Sequence, residues 1–273
     1  MKKSVNILVA NPSGNVTIFV QTPFGRGDYN SVANQLLAMP ELAGEQVAFI
    51  KEPYPGVDGV MEMCGLEFCG NASRSFALLC AINDRKYGKC QSTVDVSGCA
   101  ENLTVDLDLN SNYTKIKMPM FLDERPFEMP ADEAPCSLEG ARIVDLGGIM
   151  HVVLVDQEPC EETYLAIKNY VNGKYNPPAM GVMFYAPGEH KLVPVVYVKD
   201  VDTTYWEGSC GSGSTSVAIA MTSGKDDGQY SYELWQPAGM LTATAVKEDG
   251  KISAVYIEGT VEISDLMTVQ VDL

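Results

Sequence analysis

Histidine is scarce in this sequence, and the cysteines lack the spacing of a metal site. The chain has only two histidines, His151 and His190, and no two of its eight cysteines form a Cys-x-x-Cys pair. Zinc sites depend on such spacings or on several imidazoles. The glycines form neither a dinucleotide-binding fingerprint nor a P-loop. We therefore expect no metal and no cofactor.

Basic residues are also few. There are 19 lysines and arginines against 36 aspartates and glutamates, which gives a formal net charge of −17. A field of this sign repels phosphate groups, so nucleic acids and anionic membrane surfaces are excluded as expected partners. A small zwitterionic ligand remains compatible with it. The charge does not determine the oligomeric state, and a homodimer is one state to test.

Long apolar runs are missing as well. No stretch reaches the roughly 18 uninterrupted apolar residues of a membrane span. The start of the chain has two lysines, but the apolar run after them is too short for a signal peptide. These features predict a cytoplasmic protein, in which the cysteines are thiols and do not form a disulfide framework.

The pattern of apolar and β-branched residues predicts an α+β fold with more strands than helices. Predicted helices cover residues 29–39, 71–84, 160–172 and 214–223. Predicted strands cover residues 16–21, 46–50, 104–109, 143–145, 152–155, 193–198 and 252–257.

A segment rich in Pro, Asp and Glu interrupts this pattern at residues 123–139 and is typical of a linker. It predicts an N-terminal domain over residues 1–122 and a C-terminal domain over residues 140–261. The final strand, about residues 262–273, is expected to return to the N-terminal domain.

The two predicted domains share a repeated segment. Residues 68–79 and 209–220 align without gaps, with Cys-Gly near the start of each. Ser75 then aligns with Ser216, and Ala77 with Ala218. A glycine-containing turn and a strand follow at residues 96–109 and again at 236–246. Each half is thus predicted to place a cysteine, Cys69 or Cys210, at the start of a helix of small residues.

A cysteine at a helix start is suited to acid–base chemistry. Unpaired N–H groups and the positive end of the helix dipole favour a thiolate and can also hold a carboxylate. Inversion of a stereocentre requires removal of a proton from one face and delivery of a proton to the other. One thiolate and one thiol on opposite sides of an amino-acid α-carbon can do this without pyridoxal phosphate or a metal.

These segments resemble the paired signature of the diaminopimelate epimerase superfamily, and the resemblance covers most of the chain. Within the superfamily, the motifs are most similar to those of the histidine racemases of staphylopine-type metallophore biosynthesis. The matching stretches are residues 11–15, 45–47, 67–72, 96–99, 206–213 and 236–239. The resemblance implies two pseudo-symmetric domains, each a curved mixed β-sheet around a central helix, with the active site between them.

The resemblance also implies roles for individual residues. Cys69 and Cys210 correspond to the two catalytic bases, and Glu207 to the group that holds the substrate ammonium. The residues expected to contact the α-carboxylate and α-amino group are Asn15, Gln46, Gly70, Asn71, Gly211 and Ser212.

The chain departs from diaminopimelate epimerases after Glu207. Those enzymes hold the distal groups of their substrate with an arginine at this point, whereas here Gly208 and Ser209 follow. A buried carboxylate without a partner is costly. We therefore favour histidine over diaminopimelate, with Glu45 and Glu62 as candidate side-chain pocket residues.

Two alternatives remain open at this point. The chain could act on another amino acid with the same fold, including diaminopimelate. It could also be a non-catalytic thiol, redox or binding protein, although no cysteine pair has redox spacing and both candidate bases are present.

Overall fold

A computed structural model describes residues 2–273, which form eighteen β-strands and four α-helices. The chain divides into two compact units. Unit 1 comprises the residues up to Lys117 together with Glu258–Leu273, and unit 2 comprises Met118–Ile257. The domain limits expected from the sequence remain a prediction. The expected linker begins with a strand, Asp123–Pro126, and is not irregular throughout.

Unit 1 contains two helices, α1 (Tyr29–Leu37) and α2 (Gly70–Asn83). Its strands are β1 (Lys2–Asn11), β2 (Thr17–Val20), β3 (Gln46–Lys51), β4 (Gly59–Met63), β5 (Lys89–Val96), β6 (Leu103–Asp108), β7 (Tyr113–Lys117), β17 (Glu262–Ile263) and β18 (Met267–Asp272).

The sheet of unit 1 mixes parallel and antiparallel pairs. Strand β1 pairs antiparallel with β2, β17 and β18. Strands β2 and β3 are parallel and are joined through α1, and β4 and β5 are parallel and are joined through α2. Strands β3 and β4, β5 and β6, and β6 and β7 are antiparallel. Each helix therefore serves as the crossover connection that a parallel pair requires.

Unit 2 also contains two helices, α3 (Glu161–Lys174) and α4 (Gly211–Thr222). Its strands are β8 (Asp123–Pro126), β9 (Arg142–Asp145), β10 (Met150–Val155), β11 (Ala179–Ala186), β12 (Lys191–Val198), β13 (Thr203–Trp206), β14 (Gly228–Gln236), β15 (Gly239–Glu248) and β16 (Lys251–Thr260), whose last residues belong to unit 1.

Unit 2 repeats the order of unit 1. Strands β10 and β11 are parallel and are joined through α3, and β11 and β12 are antiparallel. Helix α4 joins β12 and β13 to β14, which meets β12 in parallel and continues into an antiparallel hairpin with β15. This repeated topology confirms the predicted α+β fold, with a mixed sheet and a central helix in each half. All four predicted helices are present.

The central helices α2 and α4 are buried on all sides. Twelve of the residues in α2 and ten in α4 are buried. Small side chains make this possible because Gly, Ala and Ser let strands approach the helix closely, and the serine hydroxyls bond back within the helix. Ser73 Oγ donates to the carbonyl of Cys69 at 2.7 Å, and Ser214 Oγ donates to that of Cys210 at 2.7 Å.

The outer helices cover the opposite face of each sheet. Helix α1 packs its apolar side, including Val32 and Leu36, on residues of β2 and β3 such as Val47. In unit 2, Tyr164 and Ile167 of α3 pack in the same way on β10 and β11. Alternate residues of β3 and β10 therefore face the central helix, and these positions are available to a site at its N-terminus.

No helix within residues 2–273 is long and apolar enough to cross a membrane.

Candidate active site

Cys69 is the N-cap residue of α2. Its backbone is extended, with φ −131° and ψ 113°, and its sulfur accepts a hydrogen bond from the N–H of Ala72 at 3.4 Å. Gly70, which follows, is buried as the first residue of the helix. The sulfur thus lies among the unpaired N–H groups of a helix start, as the sequence predicts.

Two side chains from neighbouring segments meet the Cys69 sulfur. Gln46 Nε2 lies 3.3 Å from it and also donates to Asn15 Oδ1 and Thr17 Oγ1, both at 2.8 Å. Asn15 Oδ1 in turn lies 3.5 Å from the sulfur as an acceptor. The structure therefore brings Asn15, Gln46, Gly70 and Cys69 together.

The loop that carries Asn15 is fixed by side-chain caps. Asn11 Oδ1 accepts from the N–H of Gly14 at 2.8 Å. Glu45 Oε1 accepts from the N–H groups of Asn15 and Val16, at 3.0 and 3.3 Å. Asn15 itself has a left-handed backbone with φ 59°, which asparagine tolerates better than most residues. Glu45 thus holds the loop in position.

Arg74 fixes the orientation of Asn71 from inside the helix. The guanidinium is completely buried, and its Nε donates to Asn71 Oδ1 at 3.1 Å. The amide oxygen is therefore engaged, and Asn71 Nδ2 is buried with no hydrogen-bond partner in the part of the chain that the structure describes. The other donors of Arg74 go to the Pro12 carbonyl at 2.7 Å, to Thr114 Oγ1 at 2.9 Å and to the Gly259 carbonyl at 3.0 Å.

Replacing Arg74 with methionine should strongly destabilise the chain. Buried acceptors on three segments would lose their donor, and each such loss costs about 1–3 kcal/mol, so we expect the free energy of unfolding to fall by roughly 3–5 kcal/mol. Urea unfolding measures this directly. Arg26→Met is the matched control, because Arg26 lies on the surface and should matter little. If the two substitutions lowered the free energy of unfolding equally, the buried hydrogen bonds of Arg74 would not be stabilising the chain as predicted.

A glycine turn holds the segment before Cys69. Gly98 has φ +72°, and a Cβ at this position would lie 2.2 Å from the backbone nitrogen of Phe68. Ser97 Oγ donates to the carbonyl of Glu67 at 2.9 Å and accepts from the N–H of Met63 at 2.8 Å. Only glycine permits this close approach, so the turn after β5 sets where the cysteine begins its helix.

Cys210 repeats this arrangement in unit 2. It is the N-cap of α4 with φ −131° and ψ 112°, and its sulfur accepts from the N–H of Gly213 at 3.3 Å. Ser212 Oγ lies 3.4 Å from the same sulfur. Gln236, the last residue of β14, accepts from the N–H of Cys210 at 2.8 Å and donates to Ser214 Oγ at 3.1 Å. In both units, therefore, residues at the end of the strand that follows the central helix fix the position of the cysteine.

Glu207 is the charged neighbour of Cys210. Burial raises the pKa of the Cys210 thiol, and the Glu207 carboxylate, which accepts a hydrogen bond from that thiol, raises it further because a second negative charge beside a thiolate is unfavourable. Glu207, Gly211 and Ser212 thus lie at or beside the cysteine, as the sequence predicts for a substrate-binding group. An ammonium group is the kind of ligand that this carboxylate would favour.

Burial, and not the helix start, determines the acidity of both candidate bases. The sequence predicts lowered pKa values, but burial raises the pKa of Cys69 despite the hydrogen bonds from Ala72 and Gln46. The pKa of Cys210 is raised well above its usual value, first by burial and then by Glu207. Cys160 shows the contrast, because this exposed N-cap cysteine has a pKa lowered by backbone N–H groups of α3. A helix start lowers a thiol pKa only where water still solvates the thiolate.

Glu62 is not brought to the Cys69 group. Its carboxylate accepts from Arg26 and, at 2.7 Å, from the hydroxyl of Tyr29. It lies on the face of β4 opposite to Met61 and Met63, the face that carries α1. The alternation of side chains along a strand accounts for this placement.

His151 is the side chain that sequence reasoning missed. It is completely buried on β10, and its Nε2 lies 2.9 Å from Ser212 Oγ. No spacing in the sequence indicated it, because it meets Ser212 only through the packing of β10 against α4. Across residues 2–273, no group of three or more His, Cys, Asp or Glu side chains could hold a metal ion.

Solved structures with a similar fold include a phenazine biosynthesis protein and a hydroxyproline epimerase. A phenazine biosynthesis protein of the PhzF family from Bacillus anthracis matches with a TM-score of 0.71 and 13% identity, over 98% of this chain and 99% of that one. A hydroxyproline epimerase from Agrobacterium vitis matches with a TM-score of 0.66 and 13% identity, over 98% of this chain and 92% of that one. At this identity the likeness concerns the fold alone.

Sequence relatives are closer. A histidine racemase from Fusobacterium nucleatum subsp. nucleatum is 32% identical over 272 residues, which is 95% of this chain and 94% of that protein. The family described as "Histidine racemase CntK N-terminal domain" matches residues 4–267. Nearly the whole chain is covered by both comparisons, so the chain belongs to the histidine racemase family.

Proposed function

We propose that this chain interconverts L- and D-histidine without a cofactor, with Cys69 and Cys210 as the two proton-transferring groups. The observation that carries the proposal is the repeated N-cap cysteine, which has the same backbone conformation in both units. A structural cysteine does not explain why both halves surround the sulfur with hydrogen-bond donors. The family to which the chain belongs supports the reaction and the substrate.

In the proposed reaction, one cysteine acts as a thiolate and the other as a thiol. The thiolate takes the α-proton from one face of the substrate and becomes a thiol. The electron pair left on the α-carbon is delocalised into the carboxylate, and the second thiol then delivers its proton to the opposite face. The proton count is unchanged, and the two cysteines have exchanged protonation states, ready for the reverse reaction.

The helix starts are the proposed seat of the substrate carboxylate. The first N–H groups of α2 and α4, at Gly70, Asn71, Gly211 and Ser212, lie next to the two sulfurs. Such groups favour the negative charge that grows on the carboxylate as the α-proton leaves. Asn15 and Gln46 add polar groups beside Cys69, so the donors are concentrated where charge develops.

Glu207 is the proposed partner of the substrate ammonium. An ammonium bound there would offset the negative charge that raises the pKa of Cys210. Substrate binding would then ease ionisation of the thiol that must act as a base. The side-chain pocket for the imidazole is not assigned to Glu62, since that carboxylate is already paired with Arg26 and Tyr29.

Incubation with histidine in deuterium oxide tests the proposal. L-histidine and D-histidine should each yield the other enantiomer, with one solvent deuteron on the α-carbon of the product, as read by chiral chromatography and mass spectrometry. A panel of other L-amino acids tests the alternative that the same chemistry serves a different substrate. Absence of exchange with every amino acid would overturn the proposed function.

The proposed rate depends on pH in a defined direction. A base must be deprotonated to act, and burial raises the pKa of both thiols. kcat/KM should therefore rise as the pH increases above neutrality, by about tenfold per unit while the pH stays below the pKa of the base. Cys160→Ser is the control, because this exposed thiol is not proposed to react, and its profile should match that of the wild type. A profile already flat below pH 7 would contradict this prediction.

We further propose that the chain acts in the cytoplasm, where a reducing environment keeps thiols in the form that the reaction needs. All eight cysteines are free in the structure. A homodimer remains one oligomeric state to test, and a mass measurement in solution by light scattering would decide it.

A further inference from the structure

His151 is a buried imidazole with a hydrogen-bond partner at one of its two ring nitrogens. Its Nε2 lies 2.9 Å from Ser212 Oγ, whereas its Nδ1 is buried and has no hydrogen-bond partner among residues 2–273. Burial lowers its pKa to about 3, so the ring is neutral at neutral and alkaline pH. A neutral imidazole carries one N–H, and that N–H must be on one of these two nitrogens.

The protein makes room for this ring at a specific place. Gly181 pairs with His151 across the parallel strands β10 and β11. A Cβ at position 181 would lie 2.5 Å from His151 Nδ1 and 2.8 Å from Met183 Cε. Any larger residue at 181 would push the imidazole away. An apolar side chain would fill the same space without leaving a polar atom unpaired, so packing alone does not account for a histidine here.

Ser212 connects the imidazole to the reacting sulfur. Its hydroxyl has a single proton and two neighbours, His151 Nε2 at 2.9 Å and Cys210 Sγ at 3.4 Å. If Nε2 carries the N–H, it donates to Ser212 Oγ, and the hydroxyl proton is then free to point at the sulfur. If Nε2 were the acceptor, the hydroxyl proton would be taken by the ring and the thiolate would lose a donor.

In unit 1, the side-chain donor to the cysteine sulfur comes from a different position. There Gln46 of β3 pairs with Thr17 of β2, and its amide donates directly to Cys69 Sγ at 3.3 Å. The matching parallel pair in unit 2 is His151 and Gly181, in which glycine offers no side-chain donor. The donor to Cys210 must therefore come from elsewhere, and Ser212 is the side chain in place.

We propose that His151 is a positioning residue for the reaction: as the Nε2–H tautomer it donates to Ser212 Oγ and directs the serine hydroxyl proton at the Cys210 sulfur, which stabilises the thiolate. This inference rests on the proposed function of Cys210 as a base. The predicted role of Ser212 in substrate binding through its backbone N–H is compatible with it.

The pKa of Cys210 distinguishes a positioning role for His151 from a merely structural one, because the two roles predict shifts in opposite directions when His151 is replaced. Two titratable side chains face the sulfur and its hydroxyl partner, namely Glu207 and His151. Loss of the donor should raise the pKa of Cys210 further. A loosened site would admit water and lower that pKa, because burial is the main cause of its present elevation.

The first experiment measures alkylation of Cys210 by iodoacetamide against pH in the full chain, with peptide mass spectrometry to separate the cysteines. His151→Leu should shift the alkylation profile to higher pH. His151→Gln places an amide N–H near the position of Nε2 and should restore the wild-type profile. If His151→Leu does not fold, Gly181→Ala keeps the histidine but displaces its ring, and it should give the same shift.

The second experiment is a double-mutant cycle on turnover of histidine. His151→Leu and Ser212→Ala should each lower kcat by roughly tenfold to a hundredfold, the value of a hydrogen bond to a charged group, with little change in KM. The double variant should be no slower than Ser212→Ala alone, because His151 acts through the hydroxyl.

Additive losses in that cycle, or a shift of the Cys210 profile to lower pH in His151→Leu, would overturn the inference. A wild-type protein that exchanges no amino acid would overturn the proposed function, and the alkylation experiment would then still decide whether His151 acts on the thiol. The two failures are therefore distinguishable.

Discussion

Replacing either Cys69 or Cys210 with serine will lower the rate of histidine racemisation by roughly a thousandfold or more, because a serine hydroxyl is not ionised at the pH where a thiolate can form. The substitution is mild for the fold. Serine is a preferred N-cap residue and will still accept the helix N–H groups that now bond to sulfur. Chiral chromatography of histidine gives the rates, and thermal unfolding checks the structure.

The single variants carry a second, finer expectation. A surviving thiolate needs no partner to take a proton from the face it meets, so each variant should wash deuterium into only one enantiomer, and the two variants should select opposite ones. Cys64→Ser is the matched control, as this cysteine lies in the same unit but caps no helix. Full racemisation by either active-site variant would refute the two-base mechanism.

Diaminopimelate will be a poor substrate beside histidine, with kcat/KM lower by more than about a hundredfold. Its distal carboxylate would enter a site in which the charged neighbour of Cys210 is another carboxylate, Glu207. In unit 1, Arg74 already donates to four protein groups and is buried. An unpaired buried charge costs on the order of 3 to 5 kcal/mol, which exceeds a hundredfold in rate.

Lysine provides the comparison for this prediction, because it has the same chain as diaminopimelate without the distal carboxylate. If both compounds are turned over poorly, length or a distal ammonium is the reason, and the carboxylate argument is unsupported. Efficient epimerisation of LL-diaminopimelate would mean that a cation reaches the distal carboxylate after all.

The regular parts of the fold were predictable because they depend on local pattern. Apolar spacing and runs of small residues predicted the helices at residues 29–39, 71–84, 160–172 and 214–223, and the structure has a helix at each place. The repeated Cys-Gly segments predicted two similar halves. Several strands were not predicted, among them β11, whose apolar run is continuous and carries no alternation. A fully buried strand gives little periodic signal.

The site was predictable only where its members are close to a motif. Gln46 and Asn15 were found through their likeness to family motifs, and they do meet Cys69. The prediction that both cysteines have lowered pKa values was wrong, because the shift depends on how deeply each sulfur is buried, and no sequence spacing encodes that depth. Glu62 was a candidate pocket residue, but it lies away from Cys69, because a shift of one position along a strand decides which face of the sheet a side chain occupies.

The pairing of His151 with Gly181 has a consequence for how this half of the chain can change during evolution. A glutamine at 181, the arrangement that serves the other half, cannot be introduced while the imidazole fills the space beside it. Replacement of the histidine by an apolar residue would fill the space but remove the imidazole that lies 2.9 Å from Ser212 Oγ. The two positions are therefore epistatic, and in diverging descendants we expect position 181 to gain a larger residue only where position 151 has also changed.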